Sequence, residues 1–379
     1  MSYNISVSKF PFLEEALDNI GGLEKYVKKN ARVFIKPNVC VPKKNETGAV
    51  TSPELISELI KLLQPISKEI SLGECPITGY RYMENLKVSG VYDEVLETGV
   101  NIVNLNQDEK VKLDGFYIPR SVLDCDVFIN MPIMKTHERT GVTLSLKNIM
   151  GILPGKQKRA MHKKGLEKGI VDLNKIVKSH LVVVDANNCQ EGSGPIHGEL
   201  KKVGLIVVGD NPVAVDSICC KIMGVDPYLI EHIKMAYDMG LGPISEDNIN
   251  VVGLERDYIQ KFRLPFMFDN PIVRLSLQNF EAPFRSFFEK IYEIEFNWDK
   301  CTKCNLCVNA CPKRIIKMTE KGPIHNREEC ILCLCCFEAC LSNAINIRKS
   351  RWRSITLGKI YKTKKILSKA KRKFQENEK

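Results

Sequence analysis

Cys301-Thr-Lys-Cys304-Asn-Leu-Cys307-Val-Asn-Ala-Cys311-Pro312 dictates the fold of the C-terminal third of this chain. A second run of the same form follows it: Cys330-Ile-Leu-Cys333-Leu-Cys335-Cys336-Phe-Glu-Ala-Cys340. With Cys335 set aside, both read C-x2-C-x2-C-x3-C. Three thiolates at that spacing close on one cubane iron–sulfur cluster from a single tight loop. The fourth lies on the following helical turn and points away, toward the neighbouring cluster. The spacing therefore assigns Cys301, Cys304, Cys307 and Cys340 to cluster I. Cys330, Cys333, Cys336 and Cys311 go to cluster II, so the expected cofactors are two [4Fe-4S] clusters.

Other readings of these cysteines are weaker. Disulfides need an oxidising compartment, and Met1-Ser-Tyr-Asn-Ile-Ser has no basic-then-apolar signal pattern, so a reducing, cytoplasmic setting is expected. Zinc knuckles pair C-x2-C units across a longer loop without a third cysteine two residues on. Pro312 follows the first run, whereas Leu341 follows the second. Asn305 and Leu334 hold equivalent positions in the two loops. Asn tolerates a positive φ and Leu does not, which predicts a distorted second loop where Cys335 competes as a ligand.

The repeat reaches past the cysteines. The offset from Cys301 to Cys330, 330 − 301 = 29, also pairs Asn297 with Asn326 and Ile316 with Ile345, marking a duplicated strand–loop–helix–strand unit. Residues 292–349 resemble the bacterial-type two-cluster ferredoxin domain, a small α+β fold. The resemblance implies one-electron transfer at low potential and names no substrate.

At 379 residues the chain is long enough for two or three domains of about 150 residues each. No apolar run approaches the roughly 18 residues that suggest a membrane span. The formal charge of +11 is local: Arg348–Lys379 holds thirteen Lys or Arg and two Glu, so 13 − 2 = 11. From Ile360 on, this tail spaces Ile360, Leu367, Ala370 and Phe374 as one face of an amphipathic helix. A solvated helix covering the cluster domain is the first reading, and peripheral contact with an anionic membrane the second. A redox partner protein with an acidic surface is a further expectation. No recognition motif or aromatic platform accompanies the charge, which argues against nucleic acid.

Residues 1–253 alternate β-branched runs with helical stretches. Candidate strands are 32–39, 69–74, 101–105, 127–131, 181–184, 204–208 and 250–252; candidate helices are 53–63, 92–98, 213–223 and 229–239. Ser52-Pro53-Glu54 reads as a cap followed by proline at the first helical position. The alternation predicts an α/β domain with a mostly parallel open sheet and helices on both faces. Ligands of such sheets bind beyond the carboxyl ends of the strands. Residues 254–291, rich in proline and aromatics, read as a packed connector, and 350–379 as the basic tail.

Four polar clusters fall where strand ends are expected: Lys36-Pro37-Asn38; Gly73-Glu74-Cys75-Pro76; Asn130-Met-Pro-Ile-Met-Lys135-Thr136-His137 with Ser145-Leu-Lys147-Asn148; and Gly209-Asp210-Asn211-Pro212 leading to Asp216. Each is also what a turn or a helix cap uses. Four at equivalent ends favour an anion site, with Lys36, Asn38, Asn130, Lys135, His137, Lys147, Asn148, Asp210 and Asp216 as candidate binding residues. The lysines suit a carboxylate or phosphate, His137 a proton or metal, and Asp216 a cation or a cap. Gly151-Ile-Leu-Pro-Gly155-Lys156 misses the phosphate-loop spacing by one residue and has Gln157 in the hydroxyl position. Residues 156–168 read instead as a mobile basic loop over the site. Cys75, at a strand end, is the thiol to test for reactivity.

Phe34-Ile-Lys36-Pro37-Asn38, Ile129-Asn130-Met131-Pro132, Lys135-Thr136-His137, Ser145-Leu-Lys147-Asn148-Ile-Met-Gly151, Glu191-Gly192-Ser-Gly194-Pro195 and Gly209-Asp210 with Val215-Asp216 resemble the domain of unknown function 362 family. The resemblance spans about residues 30–253. That family is often joined to a ferredoxin module and described only as iron–sulfur-centre proteins, so it implies a site without naming the ligand. The combined expectation is an electron-transfer component of an oxidoreductase acting on an anionic small molecule or a redox partner. The rival is a non-catalytic ferredoxin-type carrier or assembly factor whose large domain docks a client protein.

Overall fold

The computed structural model describes residues 2–254, 258–265, 268 and 292–350. Most of the expected connector and the basic tail beyond Ser350 lie outside the described residues. The large domain contains β1 Tyr3–Lys9, β2 Ala31–Lys36, β3 Ser67–Glu74, β4 Asn101–Asn104, β5 Lys110–Leu113, β6 Phe116–Pro119, β7 Val127–Asn130, β8 Ile133–His137, β9 Gly141–Thr143, β10 Leu181–Glu191, β11 Glu199–Gly209 and β12 Ile249–Gly253. Its sheet runs β12-β1-β11-β10-β7-β2-β3-β4, with β8 and β9 branching from β10. From β4 to β10 the neighbours are parallel; β11 alone in this row runs against its neighbours β10 and β1. Thus the open, mostly parallel α/β sheet holds. The short strands read at 181–184 and 204–208 are halves of a long antiparallel β10–β11 hairpin.

The strands carry continuous apolar runs because both faces are covered. Val33, Ile35, Val127, Ile129, Leu181, Val183, Ile206 and Val208 enter one core. Their alternates Phe34, Phe128, Val182, Val184, Leu205 and Val207 enter the other. The helix Pro53–Leu63 buries Leu55, Ile56, Leu59, Ile60 and Leu63 in the first core. Leu166–Ile176 and Pro212–Ile222 cover the second. Proline starts the 53–63 helix as expected, but the Ser52 hydroxyl makes no capping bond. Asn211 does cap, its side-chain oxygen accepting from the Val213 and Ala214 amides at 3.0 Å each.

The segment 156–168 corrects the expectation of a loop. It forms the helix Gly155–Lys164 and then enters Leu166–Ile176, the two separated at Gly165 with φ 130°. Met161 is the one buried residue of that first helix, so its apolar periodicity is too thin to read from the sequence.

In the C-terminal module, β13 (Tyr292–Phe296) pairs with β16 (Ile345–Lys349), and β14 (Ile316–Met318) pairs with β15 (Pro323–His325). Helices start at Leu306 and Cys335, and β14 and β16 start at Ile316 and Ile345, each pair 29 residues apart. The duplication extends to backbone conformation. Lys303 and Leu332, Asn305 and Leu334, and Arg314 and Asn343 are all left-handed, with φ between 49° and 63°. Leu334 takes the same φ, 63°, as Asn305, so the second cysteine loop copies the first instead of being distorted. Holding a leucine there costs about 1 kcal/mol, and the surrounding loop must supply it.

Candidate functional site

Parallel register sets Lys36 beside Asn130 at the ends of β2 and β7, and brings Glu74 to the end of β3. These ends meet in a closed polar network. The Lys36 ammonium donates to Glu74 Oε2 at 2.6 Å, the Pro37 carbonyl at 2.6 Å and Asn148 Oδ1 at 3.0 Å. Asn38 donates to Asn148 Oδ1 at 2.8 Å, Asn148 to Asn130 Oδ1 at 2.8 Å, and Asn130 to the Ser145 carbonyl at 2.9 Å. Lys135 closes the edge by donating to Asn38 Oδ1 at 3.0 Å and the Ala49 carbonyl at 2.5 Å. Gly151 lies directly over the ion pair: a Cβ there would stand 1.9 Å from Glu74 Oε1 and 2.5 Å from Lys36 Nζ. Here glycine is required for space.

All three Lys36 protons are used, so this lysine holds the strand ends together and has none left for a ligand. Burial pushes its ammonium down and Glu74 up, while their mutual attraction opposes both. Asp216 serves the network from behind. It accepts from the Ser145 amide at 2.8 Å, the Ser145 hydroxyl at 2.5 Å and the Leu146 amide at 2.9 Å, fixing the turn that carries Lys147 and Asn148. Even so, burial pushes its carboxyl up to about 7. Asp210 does not join the group; it faces Lys25 and Tyr26.

Lys147 differs from these. Among the described residues it has no hydrogen-bond or ion-pair partner. Burial pushes its ammonium down, while Glu338, Cys40 and Cys335 pull it up. It keeps some accessible surface in the space between the strand ends and the second cysteine run. Around it stand His137, His162 and His232, each lowered first by burial and then by Lys147; His162 and His232 fall to about 3. His137 Nδ1 accepts from the Arg139 amide at 3.1 Å, which puts the proton of the neutral ring on Nε2. Nε2 lies 3.3 Å from Glu338 Oε1, across the boundary between the two domains, without the alignment of a hydrogen bond. Burial pushes Lys135 down to about 8.

The opposite wall of this recess is the helix Cys335–Glu338 of the second cysteine run. Tyr80 donates to the Ala339 carbonyl at 2.7 Å, and His197 sits edge-on to Phe337 with ring centres 4.9 Å apart. Glu338, Tyr80, His162 and His232 were not among the sequence candidates. Glu338 had no signal, because a glutamate inside a cysteine run gives no hint that it meets a histidine two hundred residues away. Cys75 is fully buried and its thiol is pushed up to about 11, which keeps it protonated and unreactive.

The cysteines of the two runs lie in two neighbouring groups. Beside Cys307, whose thiol burial pushes up to about 11, lie Cys340, Cys304 and Cys301. Beside Cys336 lie Cys333, Cys330, Cys311 and Cys307, and burial raises its thiol as well. Among the described residues no three His, Cys, Asp or Glu groups close in tightly enough for a single ion. A cubane of four irons sets its thiolates farther apart. The Lys303 amide donates to Cys301 Sγ and the Ala344 amide to Cys340 Sγ, both at 3.4 Å. Cys335 hydrogen-bonds Cys333 and faces the large domain.

Comparison with known proteins places both parts. The chain is 26% identical over 249 residues to the thylakoid-associated protein sll1697 of Synechocystis, covering 62% of this chain and 76% of that protein. It is 29% identical over 59 residues to a ferredoxin of Methanothermococcus thermolithotrophicus, covering 15% of this chain and 98% of the ferredoxin. The lactate racemase apoprotein from Thermoanaerobacterium thermosaccharolyticum is similar at a TM-score of 0.39 and 14% identity, over 59% of this chain. The chain spans 57% of that structure, little more than half. The family profile described as domain of unknown function (DUF362) matches residues 33–221, and that of the 4Fe-4S binding domain matches residues 294–317. The chain is therefore a fusion of a DUF362 domain with a ferredoxin-like 4Fe-4S binding domain, an iron–sulfur electron carrier in its C-terminal part.

Proposed function

We propose that the protein carries two [4Fe-4S] clusters and is the electron-transfer component of an oxidoreductase, delivering single electrons to an anionic ligand in the recess around Lys147. The partnerless Lys147 ammonium, enclosed between the strand ends and the second cysteine run, carries this reading. A buried cation whose nearest carboxylate, Glu338, makes no direct ion pair with it is costly and is relieved by an anion. Clusters held by Cys301, Cys304, Cys307 and Cys340, and by Cys330, Cys333, Cys336 and Cys311, supply one-electron chemistry. Lys147 binds the anion and Lys135 adds charge at the edge. His137 presents its Nε2 proton between the ligand and Glu338. Asp216, Asn148 and Asn130 keep that geometry rigid.

The rival carrier or assembly role, with the large domain docking a client, is favoured by one observation: Lys36 and Asn148 are saturated and have no donor to spare. Peripheral membrane contact through the basic tail agrees with the thylakoid-associated name of a relative. None of the fifteen cysteines is in a disulfide, and the seven outside the two cluster sets are free thiols, which supports a cytoplasmic, reducing setting. No helix among the described residues is long and apolar enough to cross a membrane.

Anaerobically purified protein should contain about eight irons and eight acid-labile sulfides per chain, and Cys330→Ser about half of that. Four irons in the unsubstituted chain would remove one cluster, and none would remove the proposal. A panel of small carboxylates and phosphates, read by thermal shift, should yield a stabilising ligand whose effect is lost in Lys147→Met. Shifts that survive that substitution would favour the carrier.

A further inference from the structure

A second opening separates the two domains on another side. It is a cleft of about 660 Å³, within the range of small-molecule sites. Lys156, Arg159 and Lys163 enter it from one face of the helix Gly155–Lys164, at i, i+3 and i+7. Arg314 and Cys311 enter from the first cysteine run, and Thr78 from the loop after β3. Among the described residues no acidic side chain lines it. Arg159 donates to Thr78 Oγ1 at 2.9 Å. Among the described residues Lys156, Lys163 and Arg314 have no ion-pair partner. Some other surface cations are paired: Lys234 with Asp238, Arg32 with Asp126, Arg120 with Glu109, Arg348 with Glu293.

Four like charges in one concavity repel, and nothing in the fold requires them there. Arg314 adds an independent sign. It is held left-handed at φ 55°, where its counterpart in the repeat is Asn343, a residue that takes that conformation readily. The repeat imposes that backbone, so what distinguishes this position is the charged side chain it sends into the cleft.

We infer that this inter-domain cleft binds a small polyanion carrying two or more phosphate or carboxylate groups, clamped between the 155–164 helix and Arg314. Concavity and size favour a small molecule over an acidic protein face. The ligand would lie against Cys311, one of the cluster thiolates, so occupancy adds negative charge beside the metal centre. This inference is independent of the Lys147 recess, which stands or falls on different residues.

Calorimetry on the full, anaerobically purified chain at low salt tests it, with tripolyphosphate and citrate as separate probes. One or both should bind saturably, one per chain. Lys163→Gln and Arg314→Asn should each weaken binding about tenfold, since a charge-assisted bond is worth about 1.4 kcal/mol or more. Arg314→Asn restores the residue of the repeat, so its fold and iron content are retained. Whichever probe binds tighter assigns the phosphate or the carboxylate class. The inference is overturned by no saturable binding at millimolar concentration, by binding unchanged in both variants, or by saturable binding by polyglutamate alone. Loss of binding in Lys147→Met with retention in Lys163→Gln would assign the anion to the recess and also overturn it.

Discussion

Lys36 bonds Asn148, Lys147 is the neighbour of Asn148 in the chain, and both lysines lie deep in the protein, yet they do opposite things. Lys36 spends every proton on Glu74, Pro37 and Asn148 and ties three strand ends together. Lys147 spends none among the described residues and faces the second cysteine run. A buried cation with a full set of partners is architecture. One without partners costs stability and needs another reason to be there. The contrast separates the structural half of the strand-end cluster from the half that can meet a ligand.

The sharpest way to break the contrast is Lys36→Ala, which leaves Glu74 buried and unpaired. It should cost about 3–5 kcal/mol in chemical denaturation, with most of that recovered when Glu74→Leu is added to Lys36→Met. A loss under 1 kcal/mol would make Lys36 as dispensable as an ordinary surface lysine.

Acid should act on the recess next. His162 and His232 are held to about 3 in the folded chain, against 6.5 when unfolded, so only the unfolded state takes up protons between those values. Their contribution is whole above pH 6.5 and is lost as the pH falls, by about 1.4 kcal/mol per unit per histidine. His232→Leu should flatten the stability profile between pH 6.5 and 5 by about 2 kcal/mol in total. Asp216 works with the opposite sign. Its folded carboxyl is raised to about 7, so its contribution is present below pH 4 and lost as the pH rises toward 7. Asp216→Asn should therefore steepen the net fall on the acid side; an unchanged profile would contradict its placement.

Tyr80→Phe removes the donor to the Ala339 carbonyl and should cost about 1 kcal/mol, seen as earlier melting of the contact between the domains. The smallest effect belongs to Lys147→Met, which should leave stability unchanged or raise it by up to about 1 kcal/mol. A clear loss of stability would mean Lys147 has a structural partner after all.

The cysteine runs were readable because their chemistry is local: every ligand of one loop lies within a dozen residues, and a fixed spacing carries the geometry. The sheet was readable because alternate residues of each β-branched run fill two cores. Lys36, Asn38, Asn130, Lys135 and Asn148 were found together because strand ends of a parallel sheet lie on one edge. Asp210 stands apart from them, facing Lys25 and Tyr26, and the helix at 155–164 was hidden by its single buried side chain.

Sequence alone settled the iron–sulfur chemistry and the doubly covered sheet, since both follow from periodicity over short stretches of chain. Tertiary structure alone decided which lysine is spent and which is open, that His137 meets Glu338, and that four cations share one cleft. Those facts depend on contacts between residues up to two hundred positions apart. No local spacing records such contacts, because they exist only once distant segments pack together.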